Sequence, residues 1–343
     1  MKFKIIYGFI FIPFFLILSN KAIPNLALIY NNINNKIKKK KQNIVHIIKF
    51  GLISALLFIY FPFFEFKNQE KNKIEKMTKN LQKKHNKFKQ DDITIVTAYY
   101  KIKSKHSFSE YLKRLRNFMM LNHSIVFFSS KTFINVIKNM RPRYLHYKTI
   151  FIELEMEDFY SYKQFGKEFN ESFYVDIENS YHTVPLYIVW AEKCSFLKKA
   201  ILRNHFNSKC FYWVDAGLFL YSNIMNKYIN WPSAKKCFEN PKVLINSIRN
   251  VPESEKKDLL KFDLKVHKQF QRRRNVGGGV FGGQPKYLLK FIDYYYETVK
   301  LFISHKIFIG KDQNLFAFVV FSHPEIINLV QSGNFLYFLK YLY

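Results

Sequence analysis

Cysteine is scarce in this chain, and the three that occur, Cys194, Cys210 and Cys237, form no C-x-x-C pair. No histidine stands beside them at metal-binding spacing, so a structural zinc site is not predicted. An odd count also argues against a disulfide framework. A single bridge stays open for a domain in an oxidising compartment, where disulfides form and persist.

Acidic residues are scarce as well, since 25 Asp and Glu against 55 Lys and Arg give a formal net charge of +30. Such an excess usually points to nucleic acid or to an anionic membrane surface. The lysines are spread along the chain and no nucleic-acid-binding module is recognisable, so we predict no nucleic-acid partner. A lysine-rich module lying on an anionic membrane is kept as an alternative, and its binding would collapse with salt.

Two apolar runs dominate the first part of the chain. Residues 5–18 have the length of a signal-peptide apolar region, whereas residues 50–64, extended upstream, are the better transmembrane candidate. Lys36 and Lys38–Lys41 between them predict a cytosolic side, so that everything after the second run is non-cytosolic. The alternative is that both runs are buried helices of a globular domain.

The rest of the chain divides into a linker and a folded domain. Residues 67–90 are almost all Lys, Asn, Gln and Glu, which predicts a solvated stalk. The predicted organisation is therefore a signal or transmembrane anchor over residues 1–66, a charged stalk over 67–90 and an α/β domain over 91–343. With 48% apolar residues, the chain can bury a substantial core.

Apolar runs and helical stripes alternate within the folded domain. The predicted strands are Ile93–Ala98, Ser124–Phe128, Thr149–Leu154 and Cys210–Val214. Ser107 and Glu110 have the spacing of a capping box that starts a helix, and Pro285 suits the first position of another. Strands that alternate with helices predict a mainly parallel sheet with helices on both faces.

Asp215 comes directly after an apolar strand, in the segment Trp213–Gly217. Ligands gather at the carboxyl ends of strands in such sheets, and an acid there could hold a divalent cation against a diphosphate. The alternative is an aspartate that only shapes the turn with its own hydrogen bonds.

A glycine-rich segment, Gly277–Gly283, follows three arginines, Arg272, Arg273 and Arg274. Glycines let the backbone approach a ligand closely, and guanidinium groups suit phosphate oxygens. We therefore predict a basic loop in which Gly277, Gly278 and Gly279 lie against a phosphate. The alternative is a flexible surface loop with a basic edge.

Asp312 and Gln313 open the last long apolar stretch. Asp312 could simply be a helix N-cap. A carboxylate and an amide side by side at a helix start could also orient an acceptor hydroxyl or a sugar.

A middle helix carries Trp190 and Lys193 one turn apart. A Trp at helical spacing usually lies in the core, and a Lys one turn on usually lies on a solvated face. Glu192 has the pattern of a surface charge. Nothing in the spacing of His182 and His205 marks either as a base or a ligand.

Together these segments resemble the HtrL/YibB family, which is grouped with the GT-A glycosyltransferase superfamily. The resemblance covers most of residues 92–324. It rests on the order and spacing of residues 94–100, residues 125–128, Trp190 with Lys193, Trp213–Gly217, Gly277–Gly283 and Asp312–Gln313. It implies a GT-A-like, Rossmann-related α/β fold.

The resemblance also implies roles for individual residues. Asp215 stands at the first acid of the metal-binding D-x-D motif of GT-A enzymes, and Gly217 stands where the second acid would be. Mn²⁺ or Mg²⁺ is therefore expected either in a weaker site completed by water and phosphate, or not at all, with Lys193 and the arginines in its place. Asp312 and Gln313 resemble the D-Q pair near the acceptor side, so the predicted catalytic residues are Asp215, Asp312 and Gln313.

The function predicted on this basis is a membrane-anchored glycosyltransferase. It would transfer a sugar from a nucleotide-sugar donor to a glycan or lipid-linked acceptor on the non-cytosolic side. The alternative is a catalytically inert, membrane-anchored binding or scaffold domain, in which the missing second acid marks lost chemistry. The enzyme prediction requires the Trp213 turn and the glycine-rich segment to converge around one pocket.

Overall fold

The computed structural model describes residues 92–103, 106–333 and 335–343. The two apolar runs, the lysine cluster between them and the charged stalk lie outside the described residues. None of the helices in the described part of the chain is long and apolar enough to cross a membrane.

Seven strands form one sheet within the described residues. They are β1 (Ile93–Tyr99), β2 (Ser124–Ser129), β3 (Thr149–Glu153), β4 (Cys210–Val214), β5 (Val243–Ser247), β6 (Val276–Gly283) and β7 (Ile327–Gln331). Their order across the sheet is β3-β2-β1-β4-β6-β5-β7.

Helices connect these strands and cover the sheet. They are α1 (Phe108–Phe118), α2 (Lys131–Met140), α3 (Tyr160–Phe173), α4 (Val184–Arg203), α5 (Met225–Tyr228), α6 (Ala234–Glu239), α7 (Glu253–Leu259), α8 (Leu264–Gln271), α9 (Pro285–Ser304), α10 (Asp312–Ser322) and α11 (Phe335–Tyr341). Ser107 caps α1 by accepting a hydrogen bond from the N–H of Glu110 at 3.3 Å, and Pro285 is the first residue of α9, as predicted.

The prediction of a mainly parallel sheet is confirmed. Strand β1 pairs in parallel with β2 and β4, β2 with β3, and β5 with β7. Among the described strands, β6 alone runs antiparallel to its neighbours, β4 and β5. The four predicted strands are found within one residue of the expected ends, while β5, β6 and β7 were not predicted.

The glycine-rich segment predicted as a loop is strand β6, so that part of the prediction is wrong. It lies inside the sheet, between β4 and β5. A Cβ on Gly282 would overlap the Tyr212 ring and lie 2.5 Å from the carbonyl oxygen of Phe211, and a Cβ on Gly283 would lie 2.7 Å from that of Lys242. The glycines therefore serve close packing of neighbouring strands rather than flexibility.

Both faces of the sheet are buried. Successive side chains of a strand point to opposite sides, so each strand contributes to two cores. Phe211 and Trp213 of β4 belong to one core, which also contains the buried residues of α4, α9 and α10. Tyr212 and Val214 belong to a second core, together with residues of α1 and α2. The carboxyl end of β4 is thus held from both sides.

A disulfide joins Cys210, the first residue of β4, to Cys237 in α6. It is the single bridge that the cysteine count left open. The third cysteine, Cys194, is buried in α4 with a free thiol.

Gly282→Ala is expected to lower the free energy of unfolding by about 1–3 kcal/mol, because the backbone of β4 cannot retreat from the added methyl group. Gly166→Ala in α3 is the matched control, since nothing lies within 4 Å of its Cβ position and alanine is the better helix former. Urea denaturation of both variants measures the difference. Equal stability of the two variants would contradict the pairing of Gly282 with Tyr212.

Candidate active site

Asp215 lies where the turn after β4 meets β6. Its backbone N–H donates a hydrogen bond to the carbonyl oxygen of Gly279 at 2.8 Å. Because β6 is antiparallel to β4, the start of β6 lies beside the carboxyl end of β4. The Trp213 turn and the glycine-rich segment are therefore direct neighbours.

Three charged side chains from separate elements meet at this edge. The ammonium group of Lys193 donates to Asp312 Oδ2 at 2.8 Å and to the carbonyl oxygen of Gly278 at 3.1 Å. Its Nζ also lies 3.1 Å from Asp215 Oδ1. Lys193, Asp215 and Asp312 are called the lysine–aspartate cluster below, and these three oxygens can use all three ammonium hydrogens.

Among these three side chains, that of Asp215 is the most exposed. The side chains of Lys193 and Asp312 are 4% and 5% exposed, against 42% for Asp215. The expectation that Lys193 lies on a solvated face is therefore wrong. Asp312 is not an N-cap either, because α10 begins with it after Lys311. Buried charges require partners, and Lys193 and Asp312 supply one another.

The two carboxylate oxygens of Asp215 have different surroundings. Oδ1 accepts a hydrogen bond from the indole Nε1 of Trp213 at 2.7 Å and faces Lys193. Oδ2 accepts no hydrogen bond from any residue that the structure describes. This second oxygen is the point at which the lysine–aspartate cluster can bind a ligand, either a cation or a hydroxyl donor.

Burial and neighbouring charges shift two pKa values within the cluster. Burial alone would lower the pKa of Lys193, but the charges of Asp215 and Asp312 outweigh it and raise that pKa well above its ordinary value. Burial raises the pKa of the Asp215 carboxyl, an effect that Lys193 and the Trp213 indole oppose. Lys193 is therefore a permanent cation at neutral pH.

Gly278 makes room for this arrangement. A Cβ at position 278 would lie 2.6 Å from Asp312 Oδ2, so a side chain would push the carboxylate away from Lys193. Gly277 packs closely against Asn246, with its Cβ position 3.3 Å from Nδ2. Gly278 and Gly279 contact Lys193 and Asp215 through their carbonyl oxygens, whereas a phosphate requires N–H donors. Phosphate binding by the glycines stays a prediction.

The three predicted phosphate-binding arginines lie between α8 and β6, and all are exposed. Arg273 forms an ion pair of 3.2 Å with Glu255, whose carboxylate also binds Arg249. The side chains of Arg272 and Arg274 make no ion pair or hydrogen bond with the residues that the structure describes. Within the described residues, none of the three arginines forms an ion pair or a side-chain hydrogen bond with the lysine–aspartate cluster, so their role stays a prediction.

Gln313 follows Asp312 on α10 and is partly buried. It therefore lies beside the lysine–aspartate cluster, although no recorded contact joins it to Lys193. The catalytic role expected for this pair of residues is not tested by the geometry and stays a prediction.

Glu192 is not the surface charge expected from its pattern. It is fully buried and accepts hydrogen bonds from the backbone N–H groups of Tyr160 at 3.1 Å and Ser161 at 2.8 Å. A carboxylate at the first turn of a helix satisfies free N–H groups and interacts favourably with the helix dipole. Its role is to fix α3 against α4.

A second polar group in the described domain was missed by the sequence reasoning. Asp176, in the segment between α3 and α4, lies 2.8 Å from His182 Nδ1 and accepts a hydrogen bond from the Tyr187 hydroxyl at 2.5 Å. These residues match no sequence motif, because Asp176 lies in an irregular segment. No signal in the sequence would have found it.

The pKa of the Asp176 carboxyl is lowered. Burial opposes the charged form, but the hydrogen bonds from His182 and Tyr187 outweigh it. A carboxyl with a lowered folded-state pKa stabilises the fold at neutral pH, and that contribution is lost as the pH falls through the folded-state value.

The site offers few ligands for a metal ion. No group of three His, Cys, Asp or Glu side chains within the described residues could hold one. At Gly217, where the resemblance implied a missing second acid, the Tyr111 ring lies 3.2 Å from the Cβ position. The lysine–aspartate cluster nevertheless carries a net negative charge and leaves Asp215 Oδ2 open. Because Mg²⁺ is often held by one carboxylate plus substrate phosphates, these residues fit a divalent cation that arrives with a diphosphate.

Solved structures similar to this chain include core-mannan synthase A from Aspergillus fumigatus in its Mn/GDP form. The two chains share 12% sequence identity with a TM-score of 0.35, and the match covers 69% of this chain and 72% of the other. At this level of similarity the activity has to be argued from the site itself.

The sequence comparisons identify a family. No curated protein matches the chain. The family model HtrL_YibB, described as "Bacterial protein of unknown function (HtrL_YibB)", matches residues 91–341. The chain therefore belongs to the HtrL/YibB family.

Proposed function

We propose that the domain binds a nucleoside-diphosphate sugar at the carboxyl edge of its sheet and transfers the sugar to an acceptor hydroxyl. One observation carries the proposal: a buried ammonium group fixes two carboxylates, and the side chain of one of them, Asp215, stays 42% exposed. Ligands of open α/β sheets gather at this edge. The resemblance to GT-A glycosyltransferases, drawn from the sequence, supplies the reaction class.

In this proposal Lys193 is a positioning residue. Its three hydrogens face Asp215, Asp312 and the carbonyl of Gly278, so it orients the carboxylates rather than contacting a phosphate. Asp312 holds Lys193, and its burial disfavours the predicted direct contact with an acceptor. Gln313, next to it and less buried, keeps the predicted place near the acceptor.

Asp215 is the residue that meets the donor. Its Oδ2 would hold Mn²⁺ or Mg²⁺ against the diphosphate, and the cation, when bound, neutralises the charge of the leaving group. The exposed side chains of Arg272 and Arg274 are the protein's own cations for the phosphates.

We further propose that the domain faces the non-cytosolic side of a membrane. Residues 50–64 would anchor it, with the lysines before them in the cytosol. The disulfide between Cys210 and Cys237 agrees with an oxidising compartment. An acceptor reached from this position is a glycan or a lipid-linked sugar.

UDP or GDP together with Mn²⁺ is expected to raise the melting temperature of the full chain by roughly 5–10 °C, at ligand concentrations of about 100 times Kd. Mn²⁺ alone should leave it unchanged, because one carboxylate offers too few ligands in the absence of phosphates. Thermal unfolding of the detergent-solubilised chain measures both effects.

Release of nucleoside diphosphate from UDP- and GDP-sugars then measures turnover. Asp293→Asn is the control for Asp215→Asn, because the exposed carboxylate of Asp293 pairs with Lys198 and not with Lys193. Nucleotide binding with no turnover of any donor would favour the inert scaffold. The absence of any nucleotide effect on a folded chain would contradict the proposed site.

A further inference from the structure

Asp176 and His182 form a pair that the proposed donor site does not use. Asp176 is 6% exposed, and its Oδ2 faces His182 Nδ1 at 2.8 Å and the Tyr187 hydroxyl at 2.5 Å. Its Oδ1 accepts a hydrogen bond from the backbone N–H of Glu178 at 2.9 Å. A carboxylate held by three donors fixes the plane of the imidazole that it binds.

The other imidazole nitrogen of His182, Nε2, is the atom that can act as a base. Nε2 has no hydrogen bond with the residues that the structure describes, and the side chain keeps 14% exposure. With the Nδ1 proton directed at Asp176, Nε2 carries a lone pair and can accept a proton. This is the orientation that a carboxylate gives to a histidine base.

Residues next to the pair contact residues next to Asp312 at two points. Lys311, the residue before Asp312, forms an ion pair of 2.6 Å with Glu178. A Cβ on Gly310 would lie 3.0 Å from the Tyr187 ring, so the start of α10 packs against the residue that binds Asp176. The segment that carries Asp176 therefore lies directly beside α10.

Helix α4 carries both Tyr187, which binds Asp176, and Lys193 of the lysine–aspartate cluster. Tyr187 and Lys193 are six residues apart on this helix, which corresponds to about 9 Å along its axis. Trp190 lies between them, its ring 5.1 Å from that of His182 and partly exposed. An aromatic ring offers an apolar surface with a polar edge on which a sugar can lie.

We propose that His182, oriented by Asp176, is the base for the acceptor in the sugar transfer proposed above, on which this inference rests. Nε2 takes the proton of the acceptor hydroxyl while the oxygen of that hydroxyl forms a bond to the anomeric carbon of the donor sugar. The bond from that carbon to the diphosphate oxygen breaks, and its electron pair leaves with the diphosphate. A single displacement of this kind inverts the anomeric configuration.

The test measures donor hydrolysis by the full chain, with water in place of the acceptor and Mn²⁺ present. UDP-glucose, UDP-N-acetylglucosamine and GDP-mannose are the probes. His182→Gln is expected to keep donor affinity and to lower the rate of nucleoside diphosphate release by about 10²–10⁴-fold. His205→Gln, an exposed histidine just beyond the other end of α4, is the matched control and should keep the full rate.

Two further measurements separate a base from a structural residue. Added imidazole should restore part of the rate of His182→Ala. Proton NMR should show that the released sugar first has the inverted configuration.

The outcomes distinguish this inference from the function on which it rests. If no donor binds the unaltered chain, the proposed function fails and the base has no reaction to serve. If donors bind and turn over but His182→Gln keeps its rate, the base is overturned while the donor site stands. A retained anomeric configuration overturns it as well.

Discussion

Lys193→Met is expected to lower the free energy of unfolding by about 3–5 kcal/mol, because it leaves Asp312 buried with no opposite charge. Methionine keeps the length of the side chain, so the loss reports the charge rather than a cavity. Chemical denaturation at neutral pH measures it. Nucleotide binding should fall with it, because Asp215 loses the group that orients Oδ1.

Two variants serve as controls for that result. Lys198→Met removes a lysine of the same helix whose side chain is 42% exposed and pairs with Asp293, so it should cost only about 0–1 kcal/mol. The double change Lys193→Met with Asp312→Asn replaces the stranded carboxylate by a neutral amide and should recover most of the stability, but not nucleotide binding. If Lys193→Met proved no more harmful than Lys198→Met, the lysine–aspartate cluster would not be a buried charge network.

Asp215→Asn is expected to weaken binding of UDP or GDP with Mn²⁺ by about 10- to 100-fold, since contacts to a charged group contribute about 1.5–3 kcal/mol. Titration calorimetry with and without Mn²⁺ measures this loss. The stability of the fold should change little, because the side chain is 42% exposed and the amide oxygen can still accept from Trp213.

The pH dependence of nucleotide binding adds a second readout. Because burial raises the pKa of the Asp215 carboxyl, the oxygen loses its charge at a higher pH than a free aspartate does. Affinity of the unaltered chain should therefore begin to fall at a higher pH than an ordinary aspartate would predict, and Asp215→Asn should show no such fall. Asp293→Asn should bind like the unaltered chain. An Asp215→Asn variant that kept both its affinity and its response to Mn²⁺ would contradict the proposed role of Oδ2.

The first four strands were predictable because their signal is local. Each is a short apolar run rich in β-branched or aromatic residues, and Cys210–Val214 was predicted with both ends correct. The starts of α1 at Ser107 and of α9 at Pro285 also depend on chemistry within a few neighbouring residues.

Strand β6 was missed for the opposite reason. Its glycines have low intrinsic strand propensity, and their place in the sheet depends on Tyr212 and Lys242, which come from other strands and turns. The same holds for Glu192, which has the pattern of a surface charge until α3 is placed against it.

The sequence by itself determined the class of the fold, the strand that ends just before Asp215 and the family, because apolar periodicity and motif order are properties of neighbouring residues. Only the tertiary structure decided which charges are buried and which partners they have. Lys193 and Asp312 are 119 positions apart, and the ion pair between them exists only when α4, β6 and α10 pack together. The pair of His182 and Asp176 likewise depends on how an irregular segment is held against α4, and burial and electrostatic pairing of that kind cannot be read from spacing along the chain.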